Sequence, residues 1–285
     1  MSAAVAAKEC GHSVAYVRLE FQKLWLVSEA AGMNRIAVAV LGVALAAAGL
    51  VIGWLLRIVV FRLAVPPGEP PRTDCSGCGY QVLAAGHPLW PASFLPGRCP
   101  SCRARIGPPP PALELCTAIL LGGLAARVHP GLVLAAACWL AVCAVALTWI
   151  DAAVQRLPDV LTALAYAGTA GLLLLAAATG GHWPDLLRAL LGGLALAAAF
   201  LALAVISRAA IGLGDAKLSA SLGTMLAWSG WPALAAGVFA GFLLAAFYGL
   251  GLLVSGRATR RQRIPFGPFM VAGTLLVLLI TTAGS

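Results

Sequence analysis

Residues 132–160 read LVLAAACWLAVCAVALTWIDAAVQRLPDV: an uncharged apolar run over 132–150, then Asp151, then a polar elbow through Arg156-Leu157-Pro158-Asp159. About 20 predominantly apolar residues suffice to cross the hydrocarbon of a bilayer. Backbone placed there must satisfy its own hydrogen bonds, which a helix does. The stretch therefore reads as a membrane-crossing helix that ends on an acid. Further apolar runs occur at about 36–56, 112–127, 160–179, 186–206, 216–231, 232–255 and 267–282, with charge only near their ends. The stretch 216–255 has to be split at Gly230-Trp231-Pro232. These runs predict an all-α polytopic membrane protein of about eight transmembrane helices.

Composition agrees with that reading. The 285 residues are 61% hydrophobic and 10% charged, with a mean hydropathy of +0.94. A soluble domain carries about 25% charged residues to cover its surface, so lipid must be the solvent for most of this chain. The net charge of +9 is not gathered on one soluble domain, which excludes nucleic acid as a partner and fits membrane topology instead. With 62–111 placed in the cytoplasm, loops on that side hold Arg62, Arg72, Arg98, Arg103, Arg105, Arg156, Arg208, Lys217, Arg257, Arg260, Arg261 and Arg263. The opposite side holds Arg127 and, at a span's edge, Arg188.

Four segments follow. Residues 1–35 read as a poorly ordered N-terminal extension, since 1–32 lack the basic start, apolar middle and cleavage site of a signal peptide. Residues 36–61 form the first transmembrane helix. Residues 62–111, rich in Pro, Gly, Cys and Arg, form a cytoplasmic insert small enough to need a staple. Residues 112–285 form the membrane-embedded core. Gly49 with Gly53, and Gly237 with Gly241, are spaced for close helix contact.

The staple is legible in the cysteines. Cys75 and Cys78, then Cys99 and Cys102, make two C-x-x-C pairs at a spacing read as a four-cysteine zinc site. Thiolates are soft ligands, and two such turns present four sulfurs tetrahedrally to Zn²⁺. Gly77, Gly79 and Gly97 lie where tight knuckle turns tolerate them. Four sulfur ligands leave no open position, so the expected role is structural. Disulfides are the alternative, disfavoured in a reducing compartment. Cys10, Cys116, Cys138 and Cys143 share no such spacing.

Acids inside or beside spans are costly, so each is a functional candidate. Four qualify: Glu114, Asp151, Asp159 and Asp215. Asp215 lies in Ile211-Gly212-Leu213-Gly214-Asp215-Ala216-Lys217, ahead of a run too short to span comfortably without drawing the acid into the membrane. By this topology Asp151 and Asp215 sit at one membrane face and are free to meet. Two adjoining carboxylates share a proton, so one acts as base and the other as acid on a single water. Gly212 and Gly214 leave space for an extended substrate backbone. Asp159 reads as a first-turn helix acid favoured by the dipole, Glu114 similarly, and Lys217 as a neutraliser of Asp215. A proton- or cation-coupled transporter is the rival reading of the buried acids.

Six segments in order resemble the prepilin peptidases, or type IV leader peptidases, from about Gly49 to Phe269: Phe61-Arg62-Leu63, the double C-x-x-C insert, Ala112-Leu113-Glu114-Leu115, Ile150-Asp151 with Arg156-Leu157-Pro158-Asp159, Gly212-Leu213-Gly214-Asp215-Ala216-Lys217-Leu218, and Ile264-Pro265-Phe266-Gly267-Pro268-Phe269. The resemblance implies an aspartic endopeptidase of the bacterial inner membrane. It implies removal of a short basic leader from type IV prepilins or type II secretion pseudopilins at the cytoplasmic face, with these proteins and membrane lipid as partners. It also implies N-methylation of the new terminus from S-adenosylmethionine. Carried over by motif, Asp151 and Asp215 resemble the catalytic aspartates, and Cys75, Cys78, Cys99 and Cys102 the zinc ligands. No residues are assigned to the methyl donor, and no oligomeric state is implied. Trp54-Leu55-Leu56-Arg57 and Pro109-Pro110-Pro111 depart from the family's usual Ser-Phe-Leu-Asn and Arg-Tyr-Pro.

Overall fold

The computed structural model describes residues 35–66, 68–83, 97–128, 131–206, 212–256 and 266–280. Most of the expected N-terminal extension, Cys10, Arg208 and the basic loop Arg257–Arg263 lie outside the described residues. Among the described residues there are eight helices: α1 (Arg35–Leu63), then α2 (Ala112–Ala125), α3 (Leu132–Val154), α4 (Asp159–Gly180), α5 (Trp183–Ile206), α6 (Leu213–Trp228), α7 (Trp231–Val254) and α8 (Gly267–Ile280). No strand occurs among the described residues.

Five helices, α1, α3, α4, α5 and α7, are long and apolar enough to cross a membrane. The other three are apolar but shorter: α2 and α8 have 14 residues each and α6 has 16. The chain breaks between α6 and α7 at Gly230, whose φ of 125° suits glycine. Pro232 then opens the next helix, where its missing N–H costs nothing.

α6 forms the centre of the bundle and packs mainly on α5, with α4, α7 and α8 around it. It is buried along nearly its whole length despite carrying Ser219, Ser221 and Thr224. Ser219 and Thr224 donate back to the carbonyls of Ala216 and Ala220, both at 2.8 Å, a local solution for hydroxyls with no water nearby. α1 and α7 present most of their surface outward, as helices facing lipid do.

The glycine pairs work as their spacing suggests. A Cβ on Gly49 would fall 2.6 Å from the Ala118 Cα, and one on Gly53 would fall 2.5 Å from the Glu114 Cα, so α1 and α2 touch backbone to backbone. Gly241 likewise meets Met270 of α8. In lipid, where apolar burial drives little association, such close approach supplies the packing.

The insert between α1 and α2 is tied to the bundle by one buried cation. α1 continues past the expected end of the first span to Leu63, and Arg57 is only 2% exposed. Its Nη1 lies 3.1 Å from Glu114 Oε1, while its Nη2 donates to the Pro108 carbonyl at 3.3 Å. Arg57 thus joins α1, α2 and the end of the insert. Arg156 donates to the Pro66 carbonyl at 3.2 Å, linking the α3–α4 elbow to the start of the insert.

Candidate active site

Asp151 sits on the last turn of α3. That helix stops at Gln155, which is left-handed (φ 51°) and returns its N–H to the Asp151 carbonyl at 2.8 Å. The reversal brings Leu157 under the start of α6. A Cβ on Gly214 would fall 3.0 Å from the Leu157 Cβ, so Gly214 is the residue that lets this elbow seat against α6. Its role is packing, whereas the sequence assigned both glycines to substrate approach. A Cβ on Gly212, by contrast, would make only ordinary contacts, the nearest Asp215 Oδ2 at 3.8 Å, and the Gly212 N–H donates to that oxygen at 3.3 Å.

Asp215 therefore stands at the third position of α6, held from behind. It is 7% exposed and Asp151 is 6% exposed. The two carboxylates converge on one point. A Cβ built on Gly267, the first residue of α8, would lie 2.9 Å from Asp151 Oδ2 and 3.5 Å from Asp215 Oδ1. Asp151 Oδ2 is buried without a hydrogen-bond partner among the described residues. Two acids on helices far apart in sequence thus face the same small space, floored by a residue with no side chain.

The other acids are accounted for differently. Lys217 does not neutralise Asp215; its Nζ lies 2.7 Å from Asp159 Oδ1 in a solvent-exposed pair. The geometry favours this because both residues occupy the first turns of adjacent helices, α4 and α6. Glu114 holds Arg57 rather than the dyad. Gly267 was missed as a site residue by the sequence reading, which quoted it only within a resembling segment. Its one signal was a glycine at the start of an apolar run.

The four-cysteine set is assembled. Sγ atoms of Cys75, Cys78, Cys99 and Cys102 all lie within 4.8 Å of one another, with Cys75–Cys102 and Cys78–Cys99 both at 3.7 Å. Zn–S bonds of about 2.3 Å in a tetrahedron require sulfur separations of this size; disulfide bonds are much shorter, and all four thiols are free. Two matching knuckles present them: Gly79 N–H returns to the Cys75 carbonyl at 2.9 Å and Arg103 N–H to the Cys99 carbonyl at 3.0 Å. Gly79 (φ 70°) and Arg103 (φ 58°) are both left-handed. An Arg in this conformation is uncommon and shows how strongly the turn is imposed. The Cys78 thiol is drawn below the ordinary cysteine range, chiefly by the backbone N–H of Tyr80, against desolvation and aided by Cys102 and Cys99. Within the same set the Cys102 thiol is pushed the other way, up to about 12: the Ala104 N–H lowers it, but Cys78, desolvation and the other two cysteines raise it more. The donor set fits a structural zinc ion.

Comparison with known proteins bears on both sites. Residues 134–250 match the model of the type IV leader peptidase family, and residues 47–128 match the bacterial peptidase A24 N-terminal domain. The chain is similar to the prepilin leader peptidase/N-methyltransferase of Aeromonas salmonicida (strain A449), 35% identical over 215 residues, covering 73% of this chain and 71% of the relative. It is 34% identical over 270 residues to the protein of that name from Pseudomonas aeruginosa, covering 81% and 87%. The Bacillus subtilis protein of that name is 31% identical over 212 residues, covering 73% and 82%. No solved structure matches. The first match contains both Asp151 and Asp215, the second all four cysteines. The transporter reading draws no support from these relatives.

Proposed function

The chain belongs to the type IV leader peptidase family, and from that premise we propose that Asp151 and Asp215 together hydrolyse the leader peptide bond of a prepilin. The protein is an aspartic peptidase of multi-pass membrane architecture, and N-methylation accompanies leader cleavage in the relatives it resembles. The observation that carries the assignment of residues is the convergence of two buried carboxylates on the space above Gly267.

That space is where the reacting water and scissile carbonyl belong. One carboxylate removes a proton from the water as its oxygen attacks the carbonyl carbon. The other, protonated, donates to the carbonyl oxygen, and the proton later reaches the departing amine. Two like charges this close do not both ionise, so the pair holds one proton between them. Gly212 N–H anchors Asp215 through Oδ2, which leaves Oδ1 aimed inward. Asp151 Oδ2 faces the same space beside Gly267. No covalent intermediate is required.

The substrates are type IV prepilins or type II secretion pseudopilins, whose apolar helix docks among the spans with the leader at the cytoplasmic face. The location is the bacterial inner membrane, with the dyad and insert toward the cytoplasm. Basic residues favour this: Arg62, Arg72, Arg98, Arg103, Arg105, Arg156 and Lys217 accompany the insert and the dyad end of the bundle. Zinc is held by the four cysteines as a structural ion that closes the insert, and S-adenosylmethionine supplies the methyl group. The insert spans 62–111 and the peptidase core 112–285.

Co-expression with a prepilin, followed by intact mass and N-terminal determination of the product, tests the reading. Asp151→Asn and Asp215→Asn should each lower cleavage at least about 10²-fold while the protein remains inserted. Full processing by either variant would end the dyad assignment.

A further inference from the structure

The bundle is closed in two different ways. Where glycines face a neighbouring helix, backbones touch: a Cβ on Gly223 of α6 would lie 3.1 Å from the Gly193 Cα of α5, and one on Gly273 of α8 would lie 2.5 Å from the Gly241 nitrogen of α7. Between α5 and α7 no such backbone approach occurs among the described residues, and three phenyl rings fill the gap. Phe200 of α5 and Phe242 of α7 stack with centroids 6.0 Å apart. Phe266, just ahead of α8, meets them at 5.7 and 4.9 Å, the spacing of rings in mutual contact. Phe200 is buried, whereas Phe242 is 42% exposed. A seam one ring thick therefore parts lipid from the interior. Behind it runs a narrow crevice lined by Leu196, Leu222, Leu226, Val238, Met270 and Thr274.

The rings stand at the depth of the dyad. α5 and α6 run antiparallel, with Gly193 beside Gly223. At about 1.5 Å per residue, Phe200 and Asp215 each lie about 10–12 Å from that crossing, toward the same end. Phe266 is bonded to Gly267, beside which the two carboxylates meet. The walls carry no charge: α5 has none after Arg188, and α7 has none at all. Opening the seam also asks little of the fold. Rings swing by side-chain rotation, while contacts made through glycine part only if whole helices move.

We propose that this seam is the side entrance of the peptidase, with Phe242 as its movable leaf: the apolar helix of the substrate comes in from lipid between α5 and α7 and takes the place of the Phe242 ring against Phe200 and Phe266. The proposal rests on the leader-cleavage reading and names where that helix seats. Its chemistry identifies the occupant. It is apolar, because both walls are uncharged, and helical, because backbone within hydrocarbon has to satisfy its own hydrogen bonds. It also carries a peptide bond to the space beside Gly267, which a lipid acyl chain does not. Phe266 links the two events, since the ring that the helix packs on is one residue from the point where the carboxylates converge. The depth at which the helix rests on Phe200 and Phe266 therefore sets which peptide bond is presented.

The test is photo-crosslinking to a prepilin in lipid nanodiscs, using the full chain with Asp215→Asn so that bound substrate is not consumed. A photoreactive benzoylphenylalanine replaces one residue at a time: Phe242, or Val238 one turn away on the same face of α7. The controls are Val43 on α1 and Leu174 on α4, which face outward elsewhere. Docking raises the local concentration of a partner, so the prepilin adduct at 242 and 238 should exceed that at 43 and 174 by at least about 10-fold. Its mass map should place the link in the apolar segment of the prepilin. The probe at 238 decides the matter if the chain altered at 242 fails to insert. Equal yields at all four positions overturn the entrance, as do adducts at 242 and 238 with lipid or a second copy of the chain alone. Wild type is assayed for cleavage of the same prepilin in the same nanodiscs; failure there would indict the leader-cleavage reading, whereas the crosslinks judge the entrance.

Discussion

Replacing Gly267 with Ala is the most direct probe of the dyad geometry. Gly267 is not among the residues with positive φ, and it opens a helix, where alanine is favoured. The backbone therefore accepts the change, and only the new methyl group matters. It would arrive 2.9 Å from Asp151 Oδ2 and 3.5 Å from Asp215 Oδ1. Restoring an ordinary contact of about 3.5 Å forces the Asp151 carboxylate back by roughly half an ångström. Functional groups tolerate displacements of about that size before their geometry fails, and a 1 Å misplacement costs about 10²-fold. The methyl group also occupies the space assigned to the water. Gly267→Ala should therefore slow leader cleavage by about 10- to 100-fold, with thermal stability in detergent lowered by no more than about 1–3 kcal/mol. Initial rates on a purified prepilin, read by mass, give the first number, and a fluorescence melt gives the second. A Gly267→Ala variant that cleaves at the wild-type rate would refute the idea that reaction occurs between these oxygens.

Three further outcomes follow from the same contacts. Breaking the buried pair by Arg57→Ala leaves Glu114 uncompensated and should cost about 3–5 kcal/mol, whereas Arg57→Met with Glu114→Met should recover much of it; melting midpoints in detergent decide. Removing the metal with a chelator, or replacing Cys99 with Ser, should open the insert to limited proteolysis within 68–110 while the helices stay protected, because the small cluster around Phe61, Cys75 and Ile106 has little else to hold it. Equal protease resistance with and without metal would exclude a structural role. Lys217→Ala should leave the melting midpoint essentially unchanged, because its pair with Asp159 is exposed; a clear drop in the midpoint would show that the bridge is stronger than its exposure implies.

The sequence disclosed the parts whose chemistry contradicts their surroundings. Asp151 and Asp215 stand out because an acid in an apolar run needs a reason, and the cysteine pairs because their spacing is a ligand pattern. The helices were legible as uncharged runs, including the break at Gly230. What stayed hidden was set by packing between distant segments. Arg57 fell just past the end of the apolar run at 36–56, near the expected end of the first span, so nothing marked it as interior; only the approach of α2 and Pro108 makes it so. Lys217 is two residues from Asp215, and proximity in sequence pointed there, yet the helix turns it toward Asp159. Gly267 has no charge, no side chain and no unusual torsion. Its importance exists only because α8 begins where the ends of α3 and α6 meet.

The brevity of α6 has a consequence for hydration. Its 16 residues rise about 24 Å, against about 30 Å of hydrocarbon, and α2 and α8 are shorter still. Enclosed by the longer α4, α5 and α7, so short a central element stops short of one membrane face and leaves a recess that solvent can enter. Aqueous solvent then stands nearer the carboxylates than the surrounding lipid would allow, so a reaction that consumes water can proceed beside an apolar helix that never leaves the bilayer.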